Sequence, residues 1–175
     1  MRWLSLILPF LLLACAAPVE HSEIALASRP SLKVQRIWLL DGIDQDRAPG
    51  TSAGLRAWWP EAARQCGVSG DGDLVDPATL NGAPYEAMRV FRPDLIIRLQ
   101  LVRGGMTFNR LIQDVRGTVT TFPDGLVADL SWQHDGPGRD SPELGRRLAE
   151  ALMERLVEAR LLPGCDLLRY TPPRL

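Results

Sequence analysis

The chain has 175 residues, 46% of them hydrophobic, and a formal net charge of −1. This length and composition predict one globular domain with a substantial core. The balance of 20 basic against 21 acidic residues argues against a sequence-independent nucleic-acid binder, because such a protein carries a strong basic excess. No nucleic-acid partner is therefore expected.

The first residues have the layout of a secretory signal. Met1 and Arg2 supply a positive charge, an apolar run follows from Trp3 to Leu13, and small residues come next. A short apolar region between these flanks is typical of a signal peptide. As a helix the run would cover roughly 16 Å, whereas a bilayer core is about 30 Å thick. A stable transmembrane span is therefore not expected.

The stretch Leu12-Leu13-Ala14-Cys15 resembles the lipobox of bacterial lipoproteins. The resemblance implies that residues 1–14 are a lipoprotein signal peptide and that Cys15 becomes the lipidated first residue of the mature chain. Acyl chains on Cys15 would then bind the membrane, and two or more chains anchor a protein stably. The alternative is an ordinary signal peptide cleaved near residues 14–17, which would leave a soluble periplasmic protein. In Gram-negative lipoproteins an aspartate after the cysteine favours the inner membrane, so Ala16 implies an outer-membrane anchor facing the periplasm.

The two remaining cysteines, Cys66 and Cys165, form an even pair in a compartment that permits disulfides. Each lies beside a glycine in a turn-like sequence. The sequence therefore predicts a disulfide between the middle and the tail of the chain, and two buried free thiols are the alternative.

The mature chain is predicted to consist of a lipidated N-terminus and tether over residues 15–31 and a single α+β domain over residues 32–175. The tether prediction comes from small, polar and proline-marked sequence. A strand near 32–40 and a helix capped by Thr51 or Ser52 are predicted to open the domain. Residues 67–84, rich in glycine and proline, predict an irregular loop.

The clearest pattern is a three-stranded antiparallel meander over about residues 94–133. Apolar residues alternate with polar ones from Leu95, and Gly104-Gly105 is predicted to end that strand. Residues 107–122 and 126–133 predict the second and third strands around a Pro-Asp-Gly turn. Ser141-Pro142-Glu143 then predicts the start of an amphipathic helix over about 141–162. This helix and the earlier one should pack on the antiparallel sheet.

No motif for catalysis, a metal or a cofactor stands out. His134 beside Asp135 is weak evidence for acid–base chemistry because no nucleophile motif accompanies it, and a surface histidine is the simpler interpretation. The acidic stretch holding Asp71, Asp73 and Asp76 departs from the calcium-loop pattern, so a solvated loop is expected there. We therefore expect a protein without enzymatic activity, bound metal or cofactor.

Trp58 and Trp59 are the leading candidates for partner contact. Adjacent residues on a helix point about 100° apart, so one ring is expected in the core and the other is expected to be partly exposed. Exposed aromatic residues often anchor interfaces. The alternative is that both rings only pack in the core.

The segment from Asp94 to Leu162, with a strand after Pro-Asp, a long hairpin, a tryptophan near the last strand's end and a closing helix, resembles small envelope lipoproteins. These are the penicillin-binding-protein activator lipoproteins, the curli-secretion lipoprotein and the N-terminal domain of the Tol-system β-propeller protein. The resemblance implies a lipid-anchored factor that binds or assembles with another envelope protein. The alternative is a carrier of a lipid or other apolar ligand in a transport system, with the ligand between the sheet and the closing helix.

Overall fold

The computed structural model describes residues 18–28, 33–43, 46–75, 84–121 and 125–162. Within these ranges lie six strands and three helices. The strands are β1 (Val19–Leu26), β2 (Arg36–Gly42), β3 (Ser69–Leu74), β4 (Leu95–Thr107), β5 (Arg110–Thr121) and β6 (Leu126–Pro137), and the helices are α1 (Pro49–Gln65), α2 (Pro84–Phe91) and α3 (Pro142–Glu158).

All six strands form one sheet in the order β1-β6-β5-β4-β2-β3. β4, β5 and β6 pair antiparallel, so the predicted meander is confirmed. β2 instead pairs parallel with both β3 and β4. Parallel neighbours require a crossover connection, and α1 and α2 provide these connections. The sheet is therefore mixed, because two parallel pairs extend the predicted antiparallel part.

The fold is α+β, as predicted, and its core lies between the sheet and the helices α1 and α3. The fully buried side chains in this layer include Leu55, Trp59, Leu99, Leu148 and Leu156. A smaller cluster on the opposite face joins α2 to the sheet, and Trp38, Leu40 and Met88 form it. β2 is consequently buried on both faces, whereas the part of the second face formed by β4, β5 and β6 has exposed polar side chains.

Helices α1 and α3 approach each other closely at their first turns because two glycines meet there. A Cβ atom at Gly54 would lie 1.9 Å from the Pro142 carbonyl oxygen, and one at Gly145 would lie 2.1 Å from the Thr51 carbonyl oxygen. Any side chain at these positions would push the helices apart. The two glycines therefore set the position of α1 against α3.

The predicted tether is wrong for residues 19–26. This segment is the edge strand β1, which pairs antiparallel with β6 along its whole length. Its inward positions are Glu20, Ser22, Ile24 and Leu26, of which two are polar, so the sequence does not show the apolar alternation of a half-buried strand. The domain thus begins before residue 32, and Cys15 and the rest of the predicted lipobox lie outside the described residues.

Residues 69–74, predicted as part of an irregular loop, form strand β3 beside β2. The cap predicted at Thr51 or Ser52 is also wrong. α1 begins at Pro49 after Ala48, and both hydroxyl residues are buried inside its first turn.

The first hairpin of the meander turns later than predicted. β4 continues through Gly104-Gly105 to Thr107, and the two-residue turn consists of Phe108 and Asn109. Both turn residues have positive φ, 47° and 63°. Such angles at both central positions are typical of a type I′ hairpin turn. The turn places an aromatic side chain at the tip of the longest strand pair.

Candidate functional site

Trp58 and Trp59 divide as predicted between surface and core. Trp59 is 1% exposed and lies in the main core, so in this fold it cannot contact a partner. Trp58 is half-buried and packs against the edge of that core. Of the two predicted contact residues, only Trp58 is accessible.

An arginine of α3, paired with two glutamates of the same helix, lies against the Trp58 ring. The Arg146 guanidinium lies 5.9 Å from the ring centroid. It also forms ion pairs with Glu143, at 2.5 Å, and with Glu150. The hydrogen bond to Glu143 is the main reason that the pKa of Arg146 is raised. The Arg146 side chain is largely buried, so this charge is fixed beneath the ring and α1 and α3 present a rigid aromatic surface.

His134 is buried, which contradicts the interpretation of a surface histidine. Its side chain is 3% exposed and stacks on Trp132, with ring centroids 5.9 Å apart. Nδ1 lies 3.2 Å from Glu20 of β1, and Glu20 also accepts a hydrogen bond of 2.9 Å from Arg147 of α3. The histidine therefore belongs to a polar network that ties the edge strand to the closing helix.

A second polar network joins the N-terminus of α1 to the sheet. The Asp140 carboxylate, in the connection between β6 and α3, accepts hydrogen bonds from the Gly50 and Thr51 backbone N–H groups. It also accepts bonds from the Thr51 hydroxyl, at 2.6 Å, and from Gln113 Nε2 of β5, at 3.0 Å. Asp140 thus caps a helix that starts some ninety residues earlier in the chain.

Asp41, at the end of β2, is a fully buried carboxylate. It accepts hydrogen bonds from the Ser52 hydroxyl, at 2.5 Å, and from the Ile43 N–H group, at 3.0 Å. Arg56 Nε lies 3.6 Å away. Burial raises the pKa of Asp41, and these three partners oppose that effect without cancelling it. The group positions α1 against β2.

The tip of the β4–β5 hairpin is an exposed apolar patch that the sequence analysis missed. At the tip Phe108 is 97% exposed and Met106 is 52% exposed, and Val102, further back along β4, is 48% exposed. A bulky residue with positive φ is uncommon and strained. The available signal was Asn109, a frequent turn residue, but Gly104-Gly105 was the stronger turn signal in the sequence.

A polar concavity of about 540 Å³ lies on the sheet face opposite α1 and α3. The side chains of Arg98, Gln100, Arg116, Thr118 and Asp129 line it. They come from adjacent strands in direct register, with Arg98 opposite Thr118 and Thr118 opposite Asp129. The sequence analysis identified the strands but not this surface.

The space considered for an apolar ligand, between α3 and the sheet, is filled by side chains. Leu148, Met153 and Leu156 of α3 are fully buried there. A groove of about 320 Å³ beside α3 and β1 has mostly polar lining groups, including Glu20, Glu154 and Arg155. This packing does not favour the carrier interpretation.

The described part of the chain shows neither a metal cluster nor a membrane-spanning helix. In the ranges from 18 to 162 that the structure describes, no cluster of three or more acidic, histidine or cysteine side chains could hold a metal ion. No helix within the same ranges is long and apolar enough to cross a membrane. Cys66 is buried, but Cys165 lies outside the described residues, so their disulfide stays a prediction.

The geometry defines an α+β domain with a mixed six-stranded sheet, and solved structures share this fold. PelC from Paraburkholderia phytofirmans, solved as a dodecamer, matches with a TM-score of 0.50 and 12% identity over 79% of this chain and 95% of that chain. The dodecamer of a single-substitution variant of PelC from the same organism matches with a TM-score of 0.51, 11% identity and coverage of 79% and 96%. Lipoprotein GNA1162 from Neisseria meningitidis matches with a TM-score of 0.40 and 10% identity, over 71% of this chain and 99% of that chain. No family model and no curated protein sequence matches.

Proposed function

We propose that this chain is a lipid-anchored protein of the cell envelope that acts by binding or assembly and not by catalysis. Its anchor would be the acyl chains on Cys15, and its location the periplasmic face of the outer membrane. The partner would be another envelope protein, which can include further copies of the chain. The proposal requires no cofactor.

The likeness to PelC carries this proposal. It covers 95% of the PelC chain, so nearly all of that chain has a counterpart here, and PelC was solved as an assembly of twelve copies. A domain of this fold can therefore present surfaces for assembly. The lipobox-like stretch at residues 12–15 supports the anchor independently of the fold.

Trp58 is the proposed protein contact. Its ring is half-buried and lies against Arg146, which ion pairs with Glu143 and Glu150 hold in place. A rigid aromatic residue loses little conformational entropy on binding, and tryptophan and arginine are enriched among the residues that dominate interfaces. The cluster thus has the composition and rigidity of an interface anchor.

The anchor is tested by replacing Cys15 with serine in the full chain. The protein should move from the membrane to the soluble fraction and lose labelling by radioactive palmitate, while its circular dichroism spectrum should not change. If the Cys15→Ser variant remains with the membranes, the anchor is wrong.

The assembly role is tested by cross-linking in intact cells and by native mass spectrometry of the purified lipidated protein. We expect cross-linked products with a defined envelope protein or with further copies of the chain. Trp58→Ala should reduce their yield, whereas Val90→Ala, a control at a 79% exposed apolar position on α2, should not. A monomer without specific cross-links would contradict the assembly role.

A further inference from the structure

The exposed tip of the β4–β5 hairpin lies at the end of the sheet where the N-terminal chain enters. Val19, the first residue of β1, pairs with Asp135 of β6, and Asp135 pairs with Ile112 of β5. β1 and β5 both run antiparallel to β6, so they run in the same direction. The residues before Val19 and the segment from Ile112 back to Phe108 therefore lead towards the same end of the sheet.

The two distances along the chain match. Phe108 lies four residues before Ile112, which at a strand rise of about 3.3 Å places the tip roughly 13 Å beyond the level of Val19. Cys15 also lies four residues before Val19, and an extended chain of this length spans at most about 14 Å. Pro18 packs beside Gly136, the residue level with Leu111, so the chain continues in this direction at least that far.

This geometry brings the bilayer to the hairpin. Cys15 lies at most about 14 Å from Val19, and the tip extends roughly 13 Å beyond the level of Val19, so the tip lies within reach of the bilayer that holds the acyl chains. We propose that the tip, formed by Phe108 with Met106, inserts into the lipid interface and orients the domain on the membrane. The inference rests on the proposed lipid anchor at Cys15.

The composition of the tip fits a lipid surface. Phe108 presents its whole ring to the surroundings, and its positive φ shows that the turn holds an aromatic residue where asparagine or glycine would be less strained. Strained backbone conformations cluster at functional sites. The hairpin from Val102 to Ile112 carries Arg103 and Arg110 but no acidic residue, and Arg110 forms an ion pair of 2.8 Å with Asp135 of the neighbouring strand β6. Arg47 donates a hydrogen bond of 3.3 Å to the Gly104 carbonyl oxygen.

Depth-dependent quenching tests the proposal on the full lipidated chain in vesicles of phosphatidylethanolamine and phosphatidylglycerol. Phe108→Trp places a fluorophore at the tip, and brominated acyl chains quench only a fluorophore that enters the bilayer. Val90→Trp is the matched control, because Val90 is 79% exposed and lies on α2, which leads into the opposite end of β4. The wild-type chain gives the background of its own tryptophans.

We expect brominated lipid to lower the added fluorescence of Phe108→Trp by about twofold or more and to leave that of Val90→Trp unchanged. Flotation of the vesicles separates failure of the anchor from failure of the tip contact. Protein that does not float would overturn the anchor and the inference with it, whereas floating protein with unquenched Phe108→Trp would overturn only the tip contact. If the indole introduced by Phe108→Trp were protected from acrylamide but not quenched by lipid, a second copy or another protein would cover the tip, and the proposal would also be overturned.

Discussion

Asp140→Ala should destabilise the domain more than any other single change at a partly exposed aspartate. The carboxylate caps α1 through the Gly50 and Thr51 N–H groups, and Ala48, at the N-cap position, provides no side-chain bond. Loss of a helix cap costs about 0.5–2 kcal/mol. The substitution also removes the acceptor of Gln113 Nε2, and an unsatisfied buried donor costs about 1–3 kcal/mol.

The expected total is a loss of about 2–4 kcal/mol in the free energy of unfolding. For a domain of this size that corresponds to a fall of roughly 10 °C in Tm. The loss of stability is limited because the Thr51 hydroxyl, 3.0 Å from Gln113 Oε1, keeps that oxygen as a hydrogen-bond acceptor. Asp140→Asn should lose about half as much, since its side-chain oxygen still accepts from the helix N-terminus.

Urea unfolding followed by circular dichroism measures these differences. Asp129→Ala is the control, because Asp129 is an exposed aspartate on the open face of the sheet. A change within about 0.5 kcal/mol is expected there. If Asp140→Ala were as mild as Asp129→Ala, the cap would contribute nothing and the argument from its four hydrogen bonds would be refuted.

Three further changes test other parts of the structure. Because burial raises the pKa of Asp41, the folded state keeps a proton that the unfolded chain has released, so the contribution of Asp41 to the free energy of unfolding should fall as the pH rises from about 4. Asp41→Asn should remove this contribution, so the difference in unfolding free energy between the variant and the wild type should change with pH between acid and neutral values, and a difference independent of pH would contradict the titration of Asp41. Phe108→Asn should raise the unfolding free energy in solution by up to about 1 kcal/mol by relieving turn strain, yet weaken contact with vesicles, whereas a loss of stability would show that the ring packs on the domain. Alkylation without reduction should leave the mass of the mature protein unchanged if a disulfide joins Cys66 and Cys165, and added mass would disprove the bond. A disulfide that closes so long a loop could contribute up to about 4–5 kcal/mol to the free energy of unfolding.

The elements that could be predicted from the sequence are those whose burial pattern is local. In β4, Leu95, Ile97 and Leu99 alternate with exposed or half-exposed residues, and in α3 the sequence Ser141-Pro142-Glu143 marks the start of a single apolar stripe. For these segments one buried face and one exposed face are enough to specify the element. The same reasoning predicted that one of Trp58 and Trp59 is buried and the other partly exposed, and the structure decided which.

β1 and β3 could not be predicted because their stability comes from neighbours that are distant in the chain. β1 places Glu20 and Ser22 on its inward face, where they meet Arg147 and Arg155 of α3, so apolar alternation is absent. β3 has the sequence Ser-Gly-Asp-Gly-Asp-Leu, whose glycines and aspartates are poor strand formers. Each strand forms because an existing strand offers it backbone partners.

The sequence alone determined that the chain carries a lipobox-like stretch ending at Cys15, an antiparallel meander and a closing amphipathic helix, since each is written in consecutive residues. Only the tertiary structure decided that β1 belongs to the domain, that Asp140 caps a remote helix, and that Phe108 lies at the end of the sheet where the N-terminal chain enters. The physical reason is register. Pairing of β1 with β6 and of β6 with β5 aligns residues about ninety positions apart in the chain, and no local pattern encodes that alignment.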